Sequence, residues 1–468
     1  MSAVARSVVT EVEKYRGKSR AQAIGEAGLF GMLYTLTAPV RRVVDVAVPL
    51  FRPFAWKSVG ALGAASRAGW WVPYFRLIPS LPRPFRFRTN PVLGPWPEWS
   101  RPVPEGLRSY PGYLSDPSAE DAAFAAKPLR DFLDHEYPEI GEWIRRGIWR
   151  SGFFVKPRLQ RALRAIFEAS QLQPQRAEKP PAPDALTAEI KDLGLQLRLS
   201  AVGVAAYDPK YRFKEFFEDE AGHDRVIVCI LEENYGAQQT APSVRSDRAT
   251  LSTYADIMTR QVKIAERLHR YGYRAYLHDV DGQALTIPYA VAAGLGQLGL
   301  NGQLLTPYAG SRCRIMLIST DAPLVPDSPV DYGVPKICDN CRACVRRCPA
   351  KALSAKRAFY RGVWKAKLNT ARCVPVLANN HDCDICTTVC PVQRYGLPAI
   401  YDEFERTGSI LGKGTDDLEG YDFGGRHYGP GQRPELLKEY FELPVLSQLS
   451  RPEPDTEQAA SSSIEPAR

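Results

Sequence analysis

"ICDNCRACVRRCPAKAL", residues 337–353, sets four cysteines at C-x2-C-x2-C-x3-C and closes them with Pro349. Short x2 spacers let three thiolates converge from one turn of chain onto three irons of a single cubane. The x3-Cys-Pro step then turns the chain away, so the fourth thiolate must reach elsewhere. A second, looser run follows: Cys373, Cys383, Cys386 and Cys390, closed by Pro391. Two such runs mark a module with two [4Fe–4S] clusters, in which three cysteines of one run hold one cluster and the fourth ligates the other. On that rule Cys338, Cys341, Cys344 and Cys390 hold the first cluster, and Cys348, Cys373, Cys383 and Cys386 the second. Structural zinc is the competing reading, but it calls for C-x2-C pairs separated by a spacer rather than three thiolates within seven residues. The nine residues between Cys373 and Cys383 only lengthen a loop before one ligand.

The rest of the chain frames this module. It has 468 residues, 44% of them hydrophobic, enough for two or three domains with a substantial core. Eight of the ten cysteines lie between Cys338 and Cys390, with Cys229 and Cys313 outside. That clustering favours metal over a disulfide framework and implies a reducing, cytoplasmic compartment. The net charge of +9 is uneven: residues 1–110 carry 16 Lys/Arg against 6 Asp/Glu, so the remainder sums to −1. Apolar stretches in this basic arm, such as 28–40, 43–51 and 68–75, all fall short of the roughly 18–20 residues of a membrane span. The arm reads first as an extension packed on the main body. Its second reading is a peripheral contact with an anionic inner-membrane surface or an acidic redox partner. Arg41-Arg42 does not make an export signal, because Asp45 and Pro49 interrupt the apolar segment behind it.

Periodicity divides the chain into a basic, Pro-rich extension (1–110), a helical segment with a polar Pro-rich linker (111–184), a mixed domain (185–330), the cysteine module (331–395), a wrapping segment (396–445) and a disordered tail (446–468). Strands are expected at 200–207, 224–233, 273–278 and 314–320, and helices at 185–197 and 254–272. Alternation of strand and helix gives an α/β (α+β) middle domain followed by a ferredoxin-like module, with a mostly helical N-terminal extension. An electron carrier alone needs only some 60–80 residues, so another group must receive the electrons.

Gly294, Gly296 and Gly299 spell G-x-G-x-x-G, yet a helix, "PYAVAAG", precedes them where a dinucleotide fingerprint needs a strand. A different likeness fits. The stretch "AVAAGLGQLGLNGQLLTPYAGSRCRIMLISTDAPL" (290–324) stands just ahead of the cysteine runs, with "VIVCILEENYGAQQTAPS" (226–243) and "TYADIMTRQVKIAERLHRYGYRA" (253–275) upstream. Together they resemble the corrinoid-dependent iron–sulfur reductive dehalogenases and their relative, epoxyqueuosine reductase, over about residues 185–395.

The resemblance implies a nitroreductase-like domain at 185–330 that holds cobalamin base-off and receives electrons from the two clusters. It implies replacement of a halogen on a small organohalide by hydrogen. Tyr254 would be the proton donor, Arg314 its supporting cation and Asp281 a second acid. Gly294, Gly296, Gly299, Asn301 and Gly302 would approach the corrinoid and its phosphate-bearing tail. Leu300 departs from the pattern, since relatives carry a basic residue there. The electron donor would be a separate ferredoxin or flavodoxin. A nucleic-acid partner is disfavoured, because the charge excess lies outside the resembling core. Two alternatives stay open: a tRNA-modifying reductase like epoxyqueuosine reductase, and an iron–sulfur electron-transfer protein without corrinoid.

Overall fold

The computed structural model describes residues 94–109, 155–170, 172–212, 222–278, 284–360 and 363–442, all within one compact unit, Thr89–Arg468. Asp281, Trp70, Trp71, most of the basic extension and the C-terminal tail lie outside the described residues.

Helices α1 (Lys156–Ser170) and α2 (Pro183–Gln196) lead into strands β1 (Ala201–Ala206) and β2 (Arg225–Glu232). The short α3 (Tyr235–Gln238) and the long α4 (Val244–Arg270) then connect to β3 (Ala275–Leu277). After α5 (Thr286–Ala292) and the small ribbon β4 (Gln297–Leu298) and β5 (Leu304–Leu305) comes β6 (Cys313–Thr320). The main sheet has the order β1-β2-β6-β3, and every neighbouring pair is antiparallel. Strand and helix alternate along the chain while the ladder is antiparallel throughout, which is the α+β form of the fold class read from the sequence. β2 and β3 do run the same way on either side of α4, but the later strand β6 inserts between them.

Seven of the eight residues of β2 are buried, so both faces of the sheet are covered. Val226, Val228 and Ile230 meet Tyr289, Ala290 and Val291 of α5. The period of two sends Ile227, Cys229 and Leu231 to the opposite face, where α4 packs across β2, β3 and β6. A capping box between Ser243 and Ser246 starts α4, and Arg267 and Arg270 complement its C-terminal dipole. The Pro-rich stretch expected to be a linker is instead strapped to this end. Gln175 donates its backbone N–H to His269 O at 3.0 Å, and Ala177 and Glu178 donate to Arg270 O at 2.9 and 3.0 Å. Those carbonyls have no partner inside the helix, which is why a polar, extended chain settles there.

The cysteine module follows as α6 (Val334–Cys341), α7 (Ala343–Arg347), the hairpin β7 (Ala358–Tyr360) and β8 (Val363–Lys365), α8 (Thr370–Asn379), α9 (Ile385–Thr388) and α10 (Pro391–Thr407). Its core includes Ile337, Ile385, Val389, Val392, Ile400 and Tyr401.

Residues 94–109 run as an extended chain against the mixed domain and the cysteine module. Trp96 donates its backbone N–H to Ser200 O at 2.8 Å and its indole N–H to Glu232 Oε2 at 3.0 Å. Trp99 meets Tyr308, Tyr332 and Tyr401 edge-on, at 5.6 to 5.7 Å between centroids. Both tryptophans are therefore packing groups. The Trp96 bond completes a fully buried node in which Arg312 pairs with Glu232 at 2.6 Å and donates to Glu233 O and Gln393 Oε1. Arg312→Met would strand the Glu232 charge. The expected loss is about 3–5 kcal/mol, read as a lowered urea midpoint, with a smaller loss in R312M/E232Q.

Candidate active site

Tyr254 lies on α4 and Arg314 opposite Leu231 in the β2–β6 ladder. The two elements cross so that the Arg314 guanidinium sits 5.3 Å from the centroid of the half-buried Tyr254 ring. Arg314 also pairs with Glu233 at 2.6 Å, donates to Thr250 Oγ1 at 3.2 Å and lies 3.8 Å from Asp384 Oδ2. Burial pulls this guanidinium down, but Glu233, Tyr254 and Asp384 outweigh it and hold its pKa well above the ordinary value. For Tyr254 burial is the larger influence. Burial pushes the phenol up, and Arg314 opposes that without overcoming it.

Several acids of this site carry no obvious motif. Glu233 is buried beside Arg314, and Asp382 and Asp384 arrive from the cysteine module. Burial, then the neighbouring Asp247, lifts Asp382 to about 7. Burial also raises Asp384, against the pull of Arg314, to about 6. The loop that brings them is unusual: His381, Asp382, Cys383 and Asp384 have φ of 48°, 62°, 51° and 55°. Four successive non-glycine residues in the left-handed region cost about 1–2 kcal/mol each, so the surrounding contacts must hold them. Gln238 Nε2 contributes one such contact, reaching Asp384 Oδ2 at 3.3 Å. The only sequence clue was the acidic flanks of Cys383 in "HDCDIC".

The structure brings the cysteines together in two groups. Cys338, Cys341, Cys344 and Cys390 line one gap with Leu300, Asn301, Leu305, Ile337 and Val392. Cys348, Cys373, Cys383 and Cys386 pack into a neighbouring apolar cluster, which Cys344 also touches. Among the described residues no three His, Cys, Asp or Glu side chains converge as they would on one metal ion. The donor set otherwise suits clusters. Backbone N–H groups of Leu300, Ala343 and Ala352 point at the sulfurs of Cys338, Cys341 and Cys348, at 3.4, 3.5 and 3.3 Å. Burial raises the thiols of Cys341 and Cys373 to about 12, so thiolate there needs a cationic partner.

The glycine run follows a helix and leads into β4, so it lacks the order of a dinucleotide fingerprint. Gly294 has φ +67°, and a Cβ there would meet Ser328 O at 2.6 Å. The space beside Gly296 and Gly299 is likewise filled by residues of the same loop region, Leu304 and Leu305 among them. Only at Gly302, φ +75°, is the nearest atom as far as 3.9 Å. Asn301 is buried and donates to Ser311 Oγ at 3.3 Å, and Ser311 in turn donates to Thr387 Oγ1 at 3.2 Å. Leu300, the departure from the resembled pattern, is buried against the first cysteine group.

Residues 337–394 match the family described as "4Fe-4S dicluster domain". The tetrachloroethene reductive dehalogenase of Dehalobacter restrictus is 38% identical over 155 residues, 33% of this chain and 27% of that protein. Over that stretch the chain is similar to the reductive dehalogenases. The epoxyqueuosine reductase of Lactococcus garvieae is 31% identical over 160 residues, 30% of this chain and 42% of that protein. A solved catabolic reductive dehalogenase in complex with 3-bromo-4-hydroxybenzoic acid aligns with a TM-score of 0.47 at 20% identity, covering 73% of this chain and 53% of that one. The matched stretch thus spans about a quarter of the first dehalogenase's length and under half of the reductase's. Among the described residues no helix is long and apolar enough to cross a membrane.

Because burial dominates, the Tyr254 phenol is expected to titrate above 10, and in Arg314→Gln higher still, since the charge that favours phenolate is gone. Carbon-13 NMR of ring-labelled tyrosine, assigned by comparison with Tyr254→Phe, reads both midpoints. A midpoint unmoved by Arg314→Gln would show that the guanidinium does not act on the phenol.

Proposed function

We propose that this protein is a reductive dehalogenase that replaces a halogen on an organohalide by hydrogen, using base-off cobalamin and two [4Fe–4S] clusters. The observation that carries the reading is the Arg314 side chain, which contacts the candidate proton donor Tyr254 on one side and the cysteine loop at Asp384 on the other. Proton source and electron source thereby share one node.

Cys338, Cys341, Cys344 and Cys390 would hold the first cluster, and Cys348, Cys373, Cys383 and Cys386 the second. The cobalamin would lie against the half-buried Tyr254–Arg314 face, and Gly302, whose side-chain direction meets only Leu368 Cβ at 3.9 Å, is the loop glycine proposed to approach it. Bound there, it supplies the low-potential electron pair that carbon–halogen reduction requires. The protein's own part is the proton. Tyr254, kept protonated by burial, holds the proton that the carbon takes as halide leaves. Arg314 stabilises the phenolate left behind, and Glu233 fixes the guanidinium in place. Asp384 stands on the cysteine-loop side of this node, 3.8 Å from the Arg314 guanidinium. Asp281 is kept as a second acid. Electrons would come from a ferredoxin- or flavodoxin-type donor.

Halide release from a panel including tetrachloroethene and 3-bromo-4-hydroxybenzoate tests the reading. Tyr254→Phe is expected to lower turnover by about 10²–10⁴-fold with iron content unchanged. Full activity in that variant would remove Tyr254 from the chemistry, and no halide release from any substrate would count against the dehalogenase reading.

A further inference from the structure

We propose that the groove between α8 and the segment 431–441 is the docking site of a small acidic electron-transfer protein, and that electrons enter the chain there. The proposal rests on the reading that Cys348 and Cys373 belong to a cluster. An open groove of about 1010 Å³ lies on this side of the module. Its walls carry Lys351, Arg372, Arg433 and Lys438 against the single acid Glu435, four cations to one anion, a balance of +3. All five are exposed. Residues 111–468 as a whole sum to −1, so this concentration of positive charge is local.

Three further features make the groove an electron port rather than a solvated basic patch. Pro349 and Ala350, in its wall, directly follow Cys348, and Ala371 and Arg372 directly precede Cys373. A partner seated here is therefore one residue from two thiolates of the second group. The groove is also partly apolar, lined by Leu436 and Phe441, while the adjoining Leu437 is 56% exposed. An apolar centre inside a charged rim is how transient protein interfaces are built. Finally, Arg433 donates its Nε–H to Arg346 O at 2.7 Å, which holds one of the cations in place ahead of any partner.

The chemistry that fits is a carboxylate-rich face surrounding an exposed redox centre. At each encounter the partner is oxidised by one electron and the second cluster is reduced by one, so two encounters supply the pair that a carbon–halogen bond consumes. Charge pairing across the rim would govern the rate of encounter more than the lifetime of the complex. The rate should therefore fall as salt shortens the Debye length below about 10 Å, its value near 0.1 M.

The test uses the full-length, cluster-loaded protein and the variant K351E/K438E, in which two exposed lysines that are not cysteine ligands are reversed. Reduction is followed by the loss of visible cluster absorbance in stopped flow, with reduced bacterial ferredoxin or with dithionite as donor. The expected result is a fall of about tenfold or more with ferredoxin at low salt, converging with wild type at high salt, and an unchanged dithionite rate. Equal ferredoxin rates in both proteins would overturn the proposal. Failure of the underlying cluster reading looks different, as wild-type protein would then carry no dithionite-reducible absorbance. Zero-length carbodiimide coupling supplies a second readout. Lys351 or Lys438 joined to ferredoxin carboxylates supports the site, whereas either lysine joined to Glu453, Asp455 or Glu457 of the same chain would mean that its own tail occupies the groove, and would overturn it.

Discussion

Arg314 is the joint on which the site depends. It leaves the sheet from β6, and its charge is shared among Glu233 just past the end of β2, Asp384 from the cysteine loop and the ring of Tyr254 on α4. One guanidinium thus touches three pieces of chain that are distant in sequence. Arginine suits this task because its donors form a rigid planar fork and its face stacks on an aromatic ring. Most of the side chain is withdrawn from water, so its partners cannot be lost singly without leaving a charge uncompensated.

The same dryness governs the two cysteine groups. Apolar packing around Cys338, Cys341 and Cys390 makes free thiolate costly, while iron would supply the missing positive charge. Backbone N–H groups aimed at sulfur are then the chief means of adjusting the reduction potential. That the left-handed run at 381–384 serves both purposes is consistent with its cost. It presents Cys383 to the second cysteine group and turns Asp382 and Asp384 toward Arg314. Strain of this kind persists only where the surroundings over-determine the backbone. Here the Asp384–Gln238 bond and the packing of Ile385 and Val389 do so.

Much of this was legible in the sequence. Alternation and buried runs located β1, β2, β3 and β6 to within two residues, because a strand with both faces covered reads as a continuous apolar segment. Cysteine spacing marked all eight thiols of the module as one metal-binding set, whose packing clusters share Cys344 and Cys383. The helix containing Tyr254 was visible but seen too short: its first turns, "SVRSDRATL", are polar, and only the Ser243 capping box marks the start. Strand order was not legible, since nothing local records that β6 slots between β2 and β3. Nor were Glu233, Asp382 and Asp384, whose importance comes from converging on Arg314 across long separations. The glycine run shows the opposite case. Its motif was plain, but at Gly294, Gly296 and Gly299 the chain's own atoms fill the space a side chain would need.

The most direct measurement is iron and cobalt per chain, on protein expressed anaerobically with cobalamin supplied. About eight iron and one cobalt are expected. Eight iron without cobalt, even after reconstitution, would contradict the corrinoid enzyme and leave an iron–sulfur protein that delivers its electrons elsewhere.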